Sequence, residues 1–230
     1  PEHIGWQVAV KDRLNALKNP YAHLKLPGIT IEKVRDSMML WDPIHFLESC
    51  PSSDGACAVV LADHDTASRH SSPAWVLGTA MRSELGQFPG RDTVRPQAGV
   101  DCAQAVYQAA GITNAREQIG VAELCVPFSW YEPMWLEGRD LAAPGEGWKM
   151  TDDGSTAMTG SFPVNPSGGV LSSNPIGASG MIRFAEAALQ VQGKAGEHQI
   201  EGAQISLGHA YGAMAQYFAM AVLSSSPSPW

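Results

Sequence analysis

Between Ala74 and Leu223 short apolar runs alternate with segments of helical period, and this alternation restricts the chain to a sheet with helices packed on its faces. Ala74 to Thr79 reads as a strand, and Ile119 to Leu124 as a second. Between them, Val100, Ala103, Val106, Tyr107 and Ala110 mark one helix face closed by Gly111. Trp130 to Leu136 reads as a helix interrupted by Pro133. Met181, Ile182, Ala185, Ala188 and Leu189 share the face of a helix that begins after Ser179-Gly180 and ends at Gly193. Ala203 to Leu207 and Tyr217 to Leu223 are the last two strands, separated by a glycine turn. The predicted class is α/β with an at least partly parallel sheet.

The first third of the chain is less regular. Gly5 to Lys18 carries apolar residues at helical spacing and stops at Asn19-Pro20. Residues 20 to 55 read as loop, punctuated by Pro20, Pro27, Pro43 and Pro51, with one short helix over Ile31 to Met39. Ala56 to Ala62 is small and apolar throughout, the pattern of a strand covered on both faces. Residues 66 to 73 form a linker.

Charge and cysteine usage exclude several classes of function. Fifteen Lys and Arg against 23 Asp and Glu leave a net charge of −8 with no basic cluster, which argues against nucleic-acid binding. No apolar run approaches the ~20 residues of a membrane-spanning helix, and the first residues lack the pattern of a signal peptide, so a cytoplasmic protein is expected. Cys50, Cys57, Cys102 and Cys125 form no metal-ligand spacing and predict reduced thiols with no metal. Pro1 is not a translation start, which predicts a chain cut from something longer.

Three segments could carry chemistry. The densest is Pro163 to Gly169 followed by Ser172 to Gly180, two Gly- and Asn-rich turns ahead of a helix whose free N–H groups suit an anion or a developing oxyanion. A tight turn with a glycine-lined cap fits the same residues. The second is Gly208-His209-Ala210-Tyr211-Gly212, where an imidazole at a strand end suits a general base, or simply a satisfied polar residue. The third is Cys125, a thiol where a strand gives way to loop, for which a buried inert Cys is the plain reading.

Together these segments resemble the thiolase superfamily, most closely its sterol-carrier-protein-type branch. Asn165-Pro166-Ser167-Gly168-Gly169, Asn174-Pro175-Ile176-Gly177-Ala178-Ser179-Gly180, the Ala-rich helix, Leu189 to Gly196 and His198-Gln199 carry the resemblance, with Asn15 to Pro20 and Cys50 to Ala56 upstream. It covers nearly the whole chain, but only about the last three-fifths of a thiolase. It implies a layered αβαβα sandwich with a mixed five-stranded sheet, residues 1–68 being the tail of the first half (helix, loop region and last strand) and 73–230 the complete second half. It further implies an acyl-CoA-processing acyltransferase acting on a carbon–carbon bond beside the thioester, or a retro-aldol lyase on a β-hydroxyacyl-CoA, or a non-catalytic lipid-binding subunit. Coenzyme A is then a substrate, with no resident cofactor. The implied setting is fatty-acid or sterol side-chain degradation. A homodimer or hetero-oligomer is implied, with a missing N-terminal half or a small accessory subunit as partner.

The resemblance also assigns residues. The nucleophilic cysteine of thiolases has no match among the four here. Asn174 stands where the family uses an oxyanion-hole imidazole, Cys125 stands at a His position, and His209 falls near the second, proton-shuttling Cys. His209, Cys125 and Asn174 are therefore the expected catalytic set, with backbone N–H groups of Tyr211 or Gly212 facing the same space. Cys50, Ser52, Phe128, Ser179 and Gly180 are expected to contact coenzyme A or substrate.

Overall fold

A computed structural model describes residues 1–86 and 88–229. In chain order the elements are α1 (His3–Ala16), α2 (Ile31–Arg35), β1 (Met39–Trp41), β2 (Ile44–His45), α3 (His64–Ala67), β3 (Trp75–Ser83), α4 (Gln97–Ala110), α5 (Ala115–Gln118), β4 (Val121–Glu123), α6 (Tyr131–Gly138), α7 (Gly147–Asp152), α8 (Gly169–Ser172), α9 (Ser179–Gln192), β5 (Ile205–Gly212) and β6 (Tyr217–Ser224). One-turn 3₁₀ helices follow β2, at Phe46–Glu48, and α9, at Gly196–His198.

The main sheet has four strands in the order β3-β6-β5-β4. β3 and β5 both run antiparallel to β6, and β4 runs parallel to β5 through Val121↔Ser206, Ala122↔Leu207 and Glu123↔Gly208. The expected fifth strand is reduced to one parallel bridge, Ala122↔Val164. Its reason is local: after Val164 the chain turns at Asn165, whose φ of 52° is incompatible with an extended ladder.

Helices cover both faces, α4 packing on β3 and β6 and α9 on β5, β4 and β6. Both helices end as the sequence predicts, with Gly111 and Gly193 in the left-handed conformation at φ 70° and 68°. On the α4 face, Val106, Leu124, Trp135, Leu207 and Phe218 form the main core, and Val8 of α1 reaches into it. Gly78 allows close contact there: a Cβ at this position would lie 2.9 Å from Val106 O and Ala110 N.

Two further expectations are corrected. Ala56 to Ala62 forms no strand, and Val60 and Leu61 are 96% and 75% exposed. An extended segment becomes a strand only by ladder pairing, and among the described residues no strand pairs with it. The turn between β5 and β6 is not made of glycine: Ala213, Met214 and Ala215 all have positive φ, between 50° and 62°. Arg91 holds this turn by donating to Met214 O and Ala215 O while paired with Glu84.

Candidate active site

The carboxyl ends of the parallel strands β4 and β5 face the approach to α9, the place where open α/β sheets bind ligands. The loop after the 3₁₀ turn Phe46–Glu48 is drawn to this end by Cys50 N–H donating to Pro127 O at 2.8 Å and by the antiparallel bridge Ser49↔Phe128. Cys50 therefore lies against the strand-to-loop transition that carries Cys125.

Asn174 joins the two segments. Its Nδ2 donates to Cys50 Sγ at 3.1 Å, and its Oδ1 accepts from Ser179 Oγ at 2.8 Å, so both ends of the amide are fixed. Ser179 Oγ also reaches Pro175 O at 3.1 Å, tying the first turn of α9 to the Asn174 turn. Cys125 is almost wholly enclosed; burial, slightly offset by the Tyr211 backbone N–H that faces its sulfur, pushes its thiol up to about 11. Burial and Asn174 act oppositely on Cys50, and burial wins, leaving that thiol above its usual range. At neutral pH neither sulfur is a thiolate.

His209 occupies a different environment from the one its sequence position suggests. β5 alternates its faces, and Ile205, Leu207, His209 and Tyr211 point to the α4 side while Ser206 Oγ donates to Ala187 O of α9. The imidazole is 1% exposed and enclosed by Trp135, Phe218 and Arg139. Burial, then the Arg139 guanidinium, hold its pKa well below 6.5. It accepts the Cys125 backbone N–H through Nδ1 at 3.3 Å, and Trp135 Nε1 donates to Cys125 O at 2.8 Å. His209 thus holds the Cys125 peptide, in an enclosure that opposes the charged form of its ring.

The other predicted residues separate into two groups. Phe128 belongs to an aromatic wall, edge-on to Trp41 at 5.5 Å and continuing to Tyr131 at 6.2 Å and then Tyr211, 5.3 Å from Tyr131. Tyr211 contributes a phenol as well as its backbone N–H; burial first, then Tyr131, keep that phenol protonated. Gly212 sits half-buried at the end of β5, where it pairs with Tyr217. Ser52, by contrast, is exposed. Gly180 serves packing: a Cβ there would lie 2.7 Å from the Cβ of Ala210.

Sequence reasoning missed Tyr131, Arg139 and His23, and with His23 its pairing to Ser53 of the Cys50 to Ala56 phrase. Arg139 stacks 4.7 Å over both Trp135, four residues earlier, and Phe218, and the second contact is beyond any local reading. Among the described residues no group of His, Cys, Asp or Glu is arranged to hold a metal, and no helix is long and apolar enough to cross a membrane.

A family model described as "Thiolase C-terminal domain-like" matches residues 83–225. The chain belongs to that thiolase family. It is 35% identical over 208 residues to the acetyl-CoA acetyltransferase of Methanothermobacter thermautotrophicus, covering 89% of this chain and 54% of that protein. Human sterol carrier protein 2 is 30% identical over 217 residues, covering 91% of this chain and 38% of the relative. The chain therefore spans about half the length, or less, of these thiolase-type relatives. Among solved structures, one described as "Ltp2-ChsH2(DUF35) aldolase" superposes with a TM-score of 0.83 at 24% identity, over 98% of this chain and 59% of that one. The thiolase-like fold is shared throughout, including the stretch before residue 83.

Proposed function

We propose that the protein carrying this chain processes acyl-CoA substrates, making or breaking a carbon–carbon bond beside the thioester. One observation carries this reading: the Asn174 amide is fixed by Ser179 and donates to Cys50 Sγ, while the Tyr211 backbone N–H faces the sulfur of Cys125, so two N–H donors and two thiols stand at one end of the sheet. Preorganised N–H donors of this kind stabilise the enolate or oxyanion that such chemistry forms, without needing to reorganise during the reaction. Coenzyme A enters as substrate. The two similarities to an acetyltransferase and a sterol carrier protein support the acyl-CoA class.

A specific observation favours the retro-aldol variant. Covalent thiolase chemistry needs a nucleophilic thiolate and a base that titrates near neutrality. Burial pushes the Cys125 thiol up to about 11 and, with Arg139, holds the His209 ring below its usual range, so within this stretch of chain neither residue is suited to be that nucleophile or base. Cleavage of a β-hydroxyacyl thioester needs no acyl enzyme: a base takes the β-hydroxyl proton as the carbon–carbon bond breaks, and donors such as Asn174 and the protonated Tyr211 phenol stabilise the departing enolate. The similarity to a structure described as an aldolase supports the same reading.

Residues 1–68 are read as the tail of a first thiolase half and 73–230 as the second half. The setting we infer is a cytoplasmic homodimer, or an assembly with an accessory subunit, acting in lipid or steroid side-chain degradation. The aromatic wall from Trp41 to Tyr211 supports a bulky apolar acyl group.

The test follows the fate of two substrates in the purified protein. A β-hydroxyacyl-CoA should be cleaved to a carbonyl product and a shorter acyl-CoA, while acetoacetyl-CoA with free coenzyme A should not be thiolysed above a heat-killed control. Asn174→Ala should lower cleavage by about 10²–10³-fold, the usual cost of an oxyanion-hole donor. Cleavage within about threefold of wild type, only ~0.7 kcal/mol of barrier, would remove Asn174 from the mechanism.

A further inference from the structure

Of the nucleophilic side chains around Asn174, one has a base within hydrogen-bond reach. Ser53 Oγ lies 2.8 Å from His23 Nδ1. The direction of that bond follows from the rest of the network. Asn174 backbone N–H donates to Ser53 Oγ at 3.1 Å, so the single hydroxyl proton is free to point at the imidazole. In the tautomer that carries its own proton on Nε2, His23 Nδ1 accepts that hydroxyl proton.

The pair is anchored as a unit on the turn that carries Asn174. His23 backbone N–H donates to Ser173 Oγ at 2.8 Å, and the next residue's N–H, of Leu24, donates to Ser172 O at 2.9 Å. Ser53 N–H returns a bond to Asn174 O at 3.3 Å. Base, hydroxyl and amide therefore keep their spacing as one rigid group. The alternatives are weaker nucleophiles here: Cys50 and Cys125 are both held protonated by burial, and Ser179 spends its hydroxyl on Asn174 and Pro175. The Asn174 Nδ2 group has two N–H bonds, of which one goes to Cys50 Sγ. The other can meet an oxyanion formed beside Ser53.

We infer that Ser53 and His23 form a second reactive pair that hydrolyses the CoA thioester bound at this site, a thioesterase activity resting on the acyl-CoA reading above. The Ser53 oxygen attacks the thioester carbonyl as its proton passes to His23 Nδ1. The carbon–sulfur bond breaks, and the departing thiolate of coenzyme A takes that proton. Water then attacks the acyl-serine ester and gives a proton to the same nitrogen. The carbon–oxygen bond breaks, Ser53 recovers its proton, and the carboxylic acid leaves. One acyl-CoA and one water yield one acid and one free coenzyme A. His23 is exposed, so water reaches the acyl-serine directly.

The experiment uses two probes on the purified protein: decanoyl-CoA, with free coenzyme A measured by chromatography, and 4-nitrophenyl acetate, with peptide mapping of the acetyl group. Wild type should release coenzyme A and carry acetyl on Ser53. Ser53→Ala should lose both. His23→Gln should release coenzyme A about 10²–10⁴-fold more slowly, as loss of a general base does. Added imidazole should restore part of the rate to His23→Gly, which a purely structural histidine would not show. Acetyl found only on a cysteine, or release unchanged in Ser53→Ala, would overturn the inference. A thioether analogue of decanoyl-CoA separates the two levels. Binding of the analogue without thioester hydrolysis by wild type defeats the serine pair alone, whereas absence of binding defeats the acyl-CoA reading as well.

Discussion

His209 Nδ1 accepts the backbone N–H of Cys125 at 3.3 Å, and the opposite edge of the ring lies 3.3 Å from Arg139 Nη2. Both neighbours are hydrogen-bond donors, so an imidazolium, which must donate from both nitrogens, is opposed on each side. The ring is held neutral by this geometry as well as by burial.

It follows that His209→Asn should leave the pH dependence of turnover unchanged in shape while lowering stability. The lost acceptor leaves the Cys125 N–H poorly satisfied, a cost of about 1–3 kcal/mol for a buried donor. Urea denaturation should show a lower midpoint, and kinetics across neutral pH should show the same limbs as wild type. Loss of one limb in the variant would restore His209 as a proton carrier.

The parts of the fold legible in the sequence are those decided locally. Gly111 and Gly193 set the ends of α4 and α9 because a left-handed residue can be read from one position. The strand expected at Ala56 to Ala62 failed because pairing is not local: an apolar run states a need for neighbours without supplying them. The site divides the same way. The Asn174 turn was visible as a Gly- and Asn-rich phrase, and Ser179 with it. The orientation of His209 was partly written in β5, whose alternate residues Ile205 and Leu207 share its buried face. Arg139, which completes the enclosure, follows directly on α6 and reaches Phe218 across the core, and Ser53 meets His23 only because two loops fasten to Ser172–Asn174.

Gly180 distinguishes packing from ligand contact. Gly180→Ala places a methyl 2.7 Å from the Ala210 Cβ, so α9 must move away from β5. Overpacking of this kind costs about 1–3 kcal/mol. The denaturation midpoint should fall, and affinity for acyl-CoA should change only as far as the Asn174 turn moves with the helix. A variant of unchanged stability that has lost acyl-CoA binding would instead make Gly180 a ligand contact.

The buried pair of Glu123 and Arg183 makes the junction of β4 and α9 sensitive to a single change. Arg183 Nη1 contacts Glu123 Oε2 closely and reaches Ser167 Oγ at 2.7 Å, while Ser167 N–H donates to Glu123 Oε1 at 3.0 Å. Removing only the cation, as in Arg183→Met, strands a carboxylate that is 0% exposed. Breaking such a pair typically costs about 3–5 kcal/mol. The double variant Arg183→Met with Glu123→Gln should recover much of the loss, measured by the same urea midpoints. Equal stability of the single and double variants would show that the charge is not what Arg183 compensates.

The last prediction concerns stability against pH and turns on His198 and Glu186, joined at 2.9 Å through Nε2 and Oε2. Burial opposes the charged ring, but the hydrogen bond and the charge of Glu186 outweigh it, so His198 titrates above 6.5. Glu186 is likewise penalised by burial, yet His198 and then Arg183 leave its pKa below 4.5. A group whose folded pKa is raised stabilises the fold fully below its unfolded value, and the contribution disappears as pH climbs through the folded value. A group whose folded pKa is depressed contributes above its unfolded value and loses that contribution as pH falls through the folded one. The pair therefore stabilises most between 4.5 and 6.5, and weakens as pH rises above 6.5 through the raised value of His198. Asn19 Nδ2, which also donates to Glu186 at 2.9 Å, links α1 to this pair, so its weakening should loosen α1 against α9. Thermal melts from about pH 5.5 to 8.5 should show the melting temperature falling across the upper part of that range. In His198→Gln the amide keeps a hydrogen bond to the carboxylate but cannot titrate, and this part of the slope should vanish, with lower stability near pH 6 and little difference from wild type at the alkaline end. A wild-type slope that persists unchanged in the variant would place the titration elsewhere, with buried Asp12, lifted to about 7 chiefly by its burial, as the next group to replace.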